Sequence, residues 1–286
     1  MKTLLRLTAI CLLLVQSSLL RAEEHHDHDG HQHDHDASGA EAAAKIQDNL
    51  AKLADEERQL ALAQRYCPIM PEVLLGEMGA PVKVDVDGHT VIVCCKGCAK
   101  QALADPAATL NALSTIQDRV AAAAEIEASL AAMEPQDRDA AKAQGFCPVM
   151  TESALGSMGQ PVKVDVAGEA VFVCCKGCGK KAQANAEKTL ATVATLKKQV
   201  AQAQVVEASF AALAPTDRGP ARAQGFCAVM TDNPLGSMGA PVKVKLGDKN
   251  VFLCCAGCRA KALANVEQTL AAAAELHRKV AAEAGK

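Results

Sequence analysis

Cysteine residues recur in three groups with the same internal spacing. Each group has one isolated cysteine, an adjacent pair further on and a last cysteine three residues after the pair, and the groups repeat every 80 residues. Thiolates are soft ligands that select Cu(I), Zn(II) and similar ions; three sulfurs suit trigonal Cu(I), and four suit tetrahedral Zn(II). The candidate metal ligands are Cys67, Cys94, Cys95 and Cys98; Cys147, Cys174, Cys175 and Cys178; and Cys227, Cys254, Cys255 and Cys258.

The adjacent pair Cys94 and Cys95 ends a predicted strand, which limits how the sulfurs can meet. Successive side chains of a strand point to opposite faces, so the two cannot easily bind one ion. One of them is expected to join Cys98, as C-x3-C or C-x2-C, while Cys67 supplies a further sulfur. Three and four thiolates per site both stay open. A helix start beside Cys98 should lower the thiol pKa values.

Two other cysteine chemistries fit the same residues. The N-terminus resembles an export signal, and an exported chain with an even number of cysteines per group is typical of disulfide cross-linking. A bond from Cys67 to Cys94 or Cys98 would stabilise the fold by a few kcal/mol. Cys95 and Cys98 also form a C-x-x-C at a helix start, as in thiol–disulfide oxidoreductases, but the surrounding pattern lacks the βαβ unit of that fold. Metal binding is the preferred interpretation, because a second feature of the chain favours it.

That second feature is the tract HHDHDGHQHDHD at residues 25–36. Such a tract is not expected to fold alone, and imidazole suits Zn, Cu and Ni. We expect weak, multi-site metal capture that is lost below about pH 6 as the imidazoles become protonated. The candidate ligands are His25, His26, His28, His31, His33 and His35.

Two methionines also recur at fixed positions after the first cysteine of each group. They are Met70 and Met78, with counterparts Met150, Met158, Met230 and Met238. A thioether close to the thiolates would favour Cu(I), but filling a small core is the preferred role for these side chains.

The cysteine groups belong to three tandem copies of one module. The stretch AQRYCPIMPEVLLGEMGAPVKVDVDGHTVIVCCKGC aligns without insertions with two later stretches. The predicted divisions are a signal peptide (1–22), a disordered His/Asp-rich tail (23–37), a helical segment (38–63), module 1 (64–113), a helical spacer (114–143), module 2 (144–193), a second helical spacer (194–223), and module 3 with a C-terminal helix (224–286).

Within a module the hydrophobic pattern has the period of a strand. PVKVDV (81–86) places three valines on one face, DG (87–88) is a strong hairpin turn, and TVIVCC (90–95) returns as the second strand. A helix should follow from about Gly97. The predicted fold class is α+β: three small knuckle–hairpin–helix modules, similar to zinc ribbons and treble clefs, joined by long helical spacers.

The spacers have the apolar period of a helix, with a stripe that includes Ile116, Ile126 and Leu130. Packing against a neighbouring module or helix is the preferred role of this stripe, and binding of a partner or of a second copy is the alternative. Pro135 and Pro215 are expected to stop the long helices, and a short helix should then lead into the next module.

The isolated cysteine in a C-P-x-M-like turn, followed by a hairpin that ends in C-x3-C at a helix start, resembles the YHS/TRASH-type heavy-metal-binding modules. The resemblance covers about 35 residues of each module and implies a role in copper or other soft-metal sensing, trafficking or resistance. It implies as ligands Cys67, Cys94 and Cys98; Cys147, Cys174 and Cys178; and Cys227, Cys254 and Cys258. The extra cysteine at 95, 175 and 255 stands where those modules usually carry another residue.

The remaining sequence features limit the possible location, partners and class of the protein. Lys2, Arg6 and the short apolar run 7–20 predict a cleaved signal, hence a periplasmic or secreted protein without stable membrane insertion. A net charge of −3 and the lack of a long basic run argue against nucleic acid as a partner. No nucleophile–base pair, paired carboxylates or phosphate loop is visible, so an enzyme is not expected. Metal ions, up to about one per module, and a metal-transport or efflux component are the candidate partners.

Overall fold

The computed structural model describes residues 35–284, which form helices and three small antiparallel hairpins, so the predicted α+β class is confirmed. The helices are α1 (His35–Leu50), α2 (Asp55–Gln64), α3 (Lys96–Ala104), α4 (Pro106–Ala131), α5 (Pro135–Gln144), α6 (Lys176–Ala184), α7 (Ala186–Ala211), α8 (Pro215–Gln224), α9 (Cys258–Ala264) and α10 (Val266–Ala284). The strands are β1 (Val82–Val86), β2 (His89–Val93), β3 (Val162–Val166), β4 (Glu169–Val173), β5 (Val242–Leu246) and β6 (Lys249–Leu253).

Each hairpin joins two strands of five residues through a two-residue turn. In the first, Val82 pairs with Val93, and the turn residues Asp87 and Gly88 have φ values of 50° and 79°. Positive φ at both positions is the type I′ pattern that matches the twist of the paired strands. The DG pair in the sequence therefore marks the turn at the place where it forms.

Burial differs between the two strands of a hairpin. In β1 the predicted alternation is present, since Val84 and Val86 are buried while Lys83 and Asp85 are exposed. In β2 the last three residues, 91–93, are all buried. Both faces of β2 are thus covered, and the strand leads its cysteine pair into the interior of the module.

A buried glutamine fastens the preceding helix to each hairpin. Gln64 ends α2, and its side-chain amide donates to the carbonyl oxygens of Tyr66 (2.8 Å) and Ile92 (2.6 Å), while its Oε1 accepts from the Ile92 N–H at 3.0 Å. The side chain therefore pairs with β2 as a neighbouring strand would. Gln144 and Gln224 make the same three bonds in modules 2 and 3. We refer to this arrangement as the glutamine clamp.

The prolines of the helical spacers mark the breaks between the long and the short helices. The long helices α4 and α7 end at Ala131 and Ala211, before the prolines are reached. Pro135 and Pro215 instead occupy the first turns of α5 and α8. A proline is well tolerated there because the first helical N–H groups have no intrahelical acceptor. The long helices thus end before these prolines, and a short helix leads into the next module, as the sequence predicts.

The described chain forms two compact units, residues 119–207 and residues 35–118 together with 208–284. In the first, Ile126 and Leu130 of the spacer stripe are buried in one core with Phe172, Val193 and Val200. In the second, the core around module 1 takes up Leu50 from α1 and Leu113 from α4. The spacer stripe thus packs against module 2, and helical residues complete the cores of the first two hairpins, which a hairpin could not form alone.

Two predictions fall on residues that the structure does not describe. The signal peptide (1–22) and most of the His/Asp-rich tail (23–37) lie outside residues 35–284, and α1 begins at His35. None of the helices in the described range combines the length and the apolar composition that a membrane crossing needs.

Candidate metal centres

The first cysteine of each module lies in a tight loop between a helix and the hairpin. In module 1, the Cys67 N–H donates to the carbonyl of Val73 at 3.1 Å, and the Leu75 N–H donates to the carbonyl of Arg65 at 2.9 Å. These bonds close residues 65–75 on themselves, and the glutamine clamp holds the loop against β2. Cys67 is fully buried as a result, with 0 % of its surface exposed.

The other three cysteines lie where the hairpin leads into a helix. Cys94 directly follows β2, Cys95 is extended and precedes the first residue of α3, and Cys98 lies in the first turn of α3. The Cys98 N–H donates to the Cys95 Sγ at 3.4 Å, so a thiol occupies the N-cap position that a side-chain oxygen usually takes. Cys94 and Cys98 are buried and point inward, while Cys95 is half-buried.

Three cysteines of each module come together as a buried cluster, which we call the thiol triad. The Sγ atoms within a triad all lie within 4.8 Å of one another. The triads are Cys67, Cys94 and Cys98; Cys147, Cys174 and Cys178; and Cys227, Cys254 and Cys258. These nine residues are the same ligands that the family resemblance implies, and the structure selects the C-x3-C pairing over C-x2-C.

The sulfur spacing fits one shared metal ion. Two thiolates at about 2.3 Å from an ion lie about 3.7–4.0 Å apart in tetrahedral or trigonal geometry, whereas a disulfide needs about 2.05 Å. The described cysteines are all free, and no disulfide joins them. The measured Sγ–Sγ distances are 3.5 Å for Cys94–Cys98, 3.6 Å for Cys174–Cys178 and 3.8 Å for Cys254–Cys258.

The triad of module 1 holds one acidic thiol and two weakly acidic ones. A hydrogen bond from the Cys94 thiol, helped by backbone N–H groups, lowers the pKa of Cys67 to about 6 although burial opposes the shift. The same bond and burial raise the pKa of Cys94. Burial, followed by the charge on Cys67, raises the pKa of Cys98 to about 12. Near neutral pH the triad therefore carries one thiolate and two protons that a metal ion must displace.

The other two triads have the same order of acidity. The pKa values of Cys147 and Cys227 are lowered although burial alone would raise them. Hydrogen bonds from backbone N–H groups, chiefly those of Cys174 and Cys254, outweigh the effect of burial. Burial raises the pKa of the thiol at the helix start, to about 12 for Cys258. Each module is thus arranged around a loop thiolate to which backbone N–H groups point.

The fourth cysteine of each module lies outside its triad. Cys95, Cys175 and Cys255 are only half-buried, and backbone N–H groups at the helix start lower their pKa. In module 3 the Sγ of Cys255 lies 4.0 Å from the Sγ atoms of both Cys254 and Cys258. The structure therefore groups three thiols tightly and places the fourth at the solvent side of the group.

Most of the recurring methionines lie at the surface. Met150, Met158, Met230 and Met238 are each about half exposed, between 47 % and 59 %. The Cys94 thiol contacts the Met70 Sδ at 3.9 Å, and Cys174 contacts Met150 in the same way, also at 3.9 Å. The expectation that these side chains fill a small core is wrong for the exposed methionines, whereas Met70 is half-buried and packs against the core of module 1.

Sequence reasoning missed two polar residue types near the sites. The clamp glutamines have a signal in the sequence, since each stands three residues before the first cysteine of its module, in AQRYC or AQGFC. Asn233 has none, because its counterparts are Val73 and Ser153. Its side chain donates to the Met238 Sδ at 3.0 Å and also hydrogen-bonds the Cys254 thiol. Burial raises the pKa of that thiol, and the bond to Asn233 offsets only part of the increase.

The predicted histidine ligands lie at the edge of the described residues or outside them. His35 is the first residue of α1, and His25, His26, His28, His31 and His33 lie outside the described residues. Within residues 35–284, the groups of side chains that can hold a metal ion consist of cysteine alone. Comparison of the chain with protein-family models, with curated proteins and with solved structures finds no match. The thiol triads themselves therefore carry the functional interpretation.

Proposed function

We propose that this chain binds soft metal ions, one at each of its three thiol triads. The observation that carries the proposal is the convergence of three buried Sγ atoms within 4.8 Å, repeated in every module. The sulfurs come from two segments that are 27 residues apart in the chain and are held together by the glutamine clamp. A purely structural cysteine has no need for two thiol neighbours at metal-binding distance.

Cu(I) is the proposed ion, with Zn(II) second. The described ligands are all sulfur, which favours the softest common biological ions. Three close thiolates with a fourth sulfur at the edge match the low coordination number of Cu(I) better than the four equal ligands that a structural Zn(II) site uses. Interpretation of each module as a knuckle, hairpin and helix, similar to YHS/TRASH-type and zinc-ribbon or treble-clef modules, supports the same conclusion.

The proposed role is to sequester or hand over metal outside the cytoplasm, not to catalyse a reaction. The signal-like segment 1–22 supports export, and the His/Asp-rich tract supports a first, weak capture of ions before they reach the triads. A metal-transport or efflux component is the proposed recipient, because tight thiolate sites release metal most readily to another thiol-bearing protein.

Disulfide cross-linking is the competing interpretation. An exported protein meets oxidants, and two sulfurs of each triad lie close enough to be joined by a small side-chain movement. A thiol–disulfide role for Cys95 and Cys98 is a further alternative, since Cys95 is half-buried and its pKa is lowered by the Cys98 N–H.

The test is a metal and thiol count on the untagged mature chain purified without air, with and without residues 23–37. The proposal predicts about three Cu or Zn ions per chain that survive removal of the tail, with triad thiols that titrate only after chelation. Metal that disappears with the tail, together with thiols that appear only after reduction, would contradict it and favour the disulfide interpretation. Reversible dithiol oxidation confined to Cys95 and Cys98 would favour the redox alternative.

A further inference from the structure

The three modules differ in whether a methionine thioether contacts the triad. In modules 1 and 2 it does, because the Met70 Sδ and the Met150 Sδ lie 3.9 Å from the Sγ of Cys94 and Cys174. In module 3 no such contact links Met230 to Cys254 within the described residues. The backbone contact is common to all three modules, since the N–H of the methionine hydrogen-bonds the first cysteine of each module.

The separation of 3.9 Å is what two sulfur ligands of one ion require. Ligands at about 2.3 Å in tetrahedral geometry lie about 3.8 Å apart, so an ion bound to Cys94 can reach the thioether without a large movement. The methionine is also free to adjust, because Met150 is 47 % exposed and a methionine side chain is unbranched. A thioether is neutral and soft, so it strengthens binding of Cu(I) more than binding of Zn(II).

Module 3 offers different partners at the same place. The Asn233 side chain hydrogen-bonds the Cys254 thiol where modules 1 and 2 have valine and serine. The extra sulfur beside this triad is the thiol of Cys255, which lies 4.0 Å from two triad thiols. Without a thioether contact, the sulfur atoms around this triad are all thiols, and four thiolate ligands are an environment that Zn(II) prefers.

We propose that Met70 and Met150 are fourth ligands that make modules 1 and 2 more selective for Cu(I) than module 3. This inference rests on the proposed function, because it needs a metal ion at the triad. It assigns a binding role to the half-buried Met70 and the exposed Met150, and it makes the three sites of one chain unequal.

Selenomethionine-labelled full-length protein loaded with Cu(I) gives a direct test. X-ray absorption at the selenium edge detects copper only where a selenium atom is bonded to it. We expect copper scattering from a minority of the eight methionines, its loss in the double variant Met70→Leu/Met150→Leu, and its retention in the matched control Met78→Leu/Met158→Leu. Leucine keeps the size and apolar character of methionine but cannot bind the ion.

Competition with a Cu(I) chelator gives the second readout. In the double variant, two of the three sites should lose about tenfold in Cu(I) affinity, as for the loss of one weak ligand, while Zn(II) affinity changes by less than about threefold. The control should match the native chain for both metals. Equal losses for both metals would mean that the leucines disturb packing only, and would overturn the proposal.

The two proposals fail in different ways. If copper protects the triad thiols but no selenium–copper scattering is seen, the methionine assignment is wrong and the triad sites stand. If copper does not protect the triad thiols at all, the proposed function itself is wrong.

Discussion

Module 1 and module 3 hold the same three thiols in the same buried arrangement, yet their surroundings differ. In module 1 the helix α3 begins at Lys96, and the Cys95 thiol accepts from the Cys98 N–H. In module 3 the helix α9 begins only at Cys258, and the Cys255 thiol lies near two triad thiols. The helix starts therefore differ, although in both modules the fourth thiol accepts from the backbone of the helix start and lies beside the triad.

The comparison separates the parts of the module that the site requires from the parts that vary. The loop closure, the glutamine clamp and the triad are common to both modules, while the residue after the cysteine pair changes from Lys96 to Ala256. The common parts are expected to decide whether a metal ion binds, and the variable ones how tightly and which ion. The following variants separate these two levels.

The largest effect is expected from removing one triad thiol. Cys94→Ser and Cys254→Ser should each reduce the bound metal from about three ions per chain to about two, because two remaining thiolates hold Cu(I) or Zn(II) much more weakly than three. Elemental analysis of the purified chain measures the change. Cys95→Ser is the matched control and should keep all three ions; its loss of one ion would show that the fourth cysteine is an essential ligand.

The next largest effect is expected at the glutamine clamp. Gln64→Leu removes the side-chain partner of the buried carbonyl and N–H of Ile92 and one bond to the Tyr66 carbonyl, so it should lower the free energy of unfolding by about 2–4 kcal/mol. Gln224→Leu breaks the same three bonds and should cost a similar amount. Denaturant unfolding of the metal-free chain measures both.

Gln160→Leu is the matched control for the clamp, because its amide makes one exposed bond, at 3.3 Å, to the Ala132 carbonyl. Its effect should stay below about 0.5 kcal/mol, as for an ordinary surface substitution. A similar loss in all three variants would show that the clamp is not what holds the loop to the hairpin.

A smaller difference is expected in the response to pH. The pKa of Cys67 is lowered to about 6 from 9.0, so its thiolate stabilises the metal-free fold above pH 9, and this stabilisation is lost as the pH falls through about 6. The pKa of Cys98 is raised to about 12, so this thiol keeps its proton over the same range. Stability should therefore increase with pH between about 6 and 9.

The same titration predicts how many protons metal binding displaces. At pH 7.5, binding at module 1 should release about two protons, from Cys94 and Cys98, because Cys67 is already ionised. The variant Cys254→Ser impairs module 3 and should bind one ion fewer. In weak buffer, the number of protons released per chain should fall by the share that belongs to that ion. Release of three protons per ion would show that Cys67 is not a thiolate in the free site.

The smallest effect is expected from the ion pairs that link the helix before each module to the first strand. Lys243 lies 2.6 Å from Asp217, whereas Lys83 lies 3.7 Å from Glu57, and both lysines are largely exposed. Lys243→Met should cost more than Lys83→Met, but each less than about 1 kcal/mol. Thermal unfolding compares them, and a larger loss at Lys83 would reverse the expected order.

Local patterns in the sequence predict the hairpins well. The alternation in PVKVDV and the DG pair specify β1 and its turn, because both depend on neighbouring residues alone. They predict β2 less well: the strand ends at Val93, before the two cysteines that were expected to extend it. The conformation of Cys95 is instead set by its position as the cap of α3.

The thiols of each site could be predicted from the sequence, but their contacts with Met70 and with the glutamine clamp could not. Spacing and the family resemblance point to Cys67, Cys94 and Cys98, and the structure brings these three together. The contact between Cys94 and Met70 spans 24 residues of chain, and the bond between Gln64 and Ile92 spans 28. Such contacts follow from how the loop closes on the hairpin, which no local pattern describes.

The most direct test of the central claim is thiol labelling resolved by residue, on full-length protein with and without Cu(I). We predict that Cu(I) slows labelling of the nine triad cysteines by more than about tenfold. Cys95 and Cys175 should stay reactive, and Cys255, which lies near two triad thiols, should react more slowly than they do. Labelling that Cu(I) leaves unchanged at the triads, or that appears only after reduction, would contradict the claim that each module is a thiolate metal site.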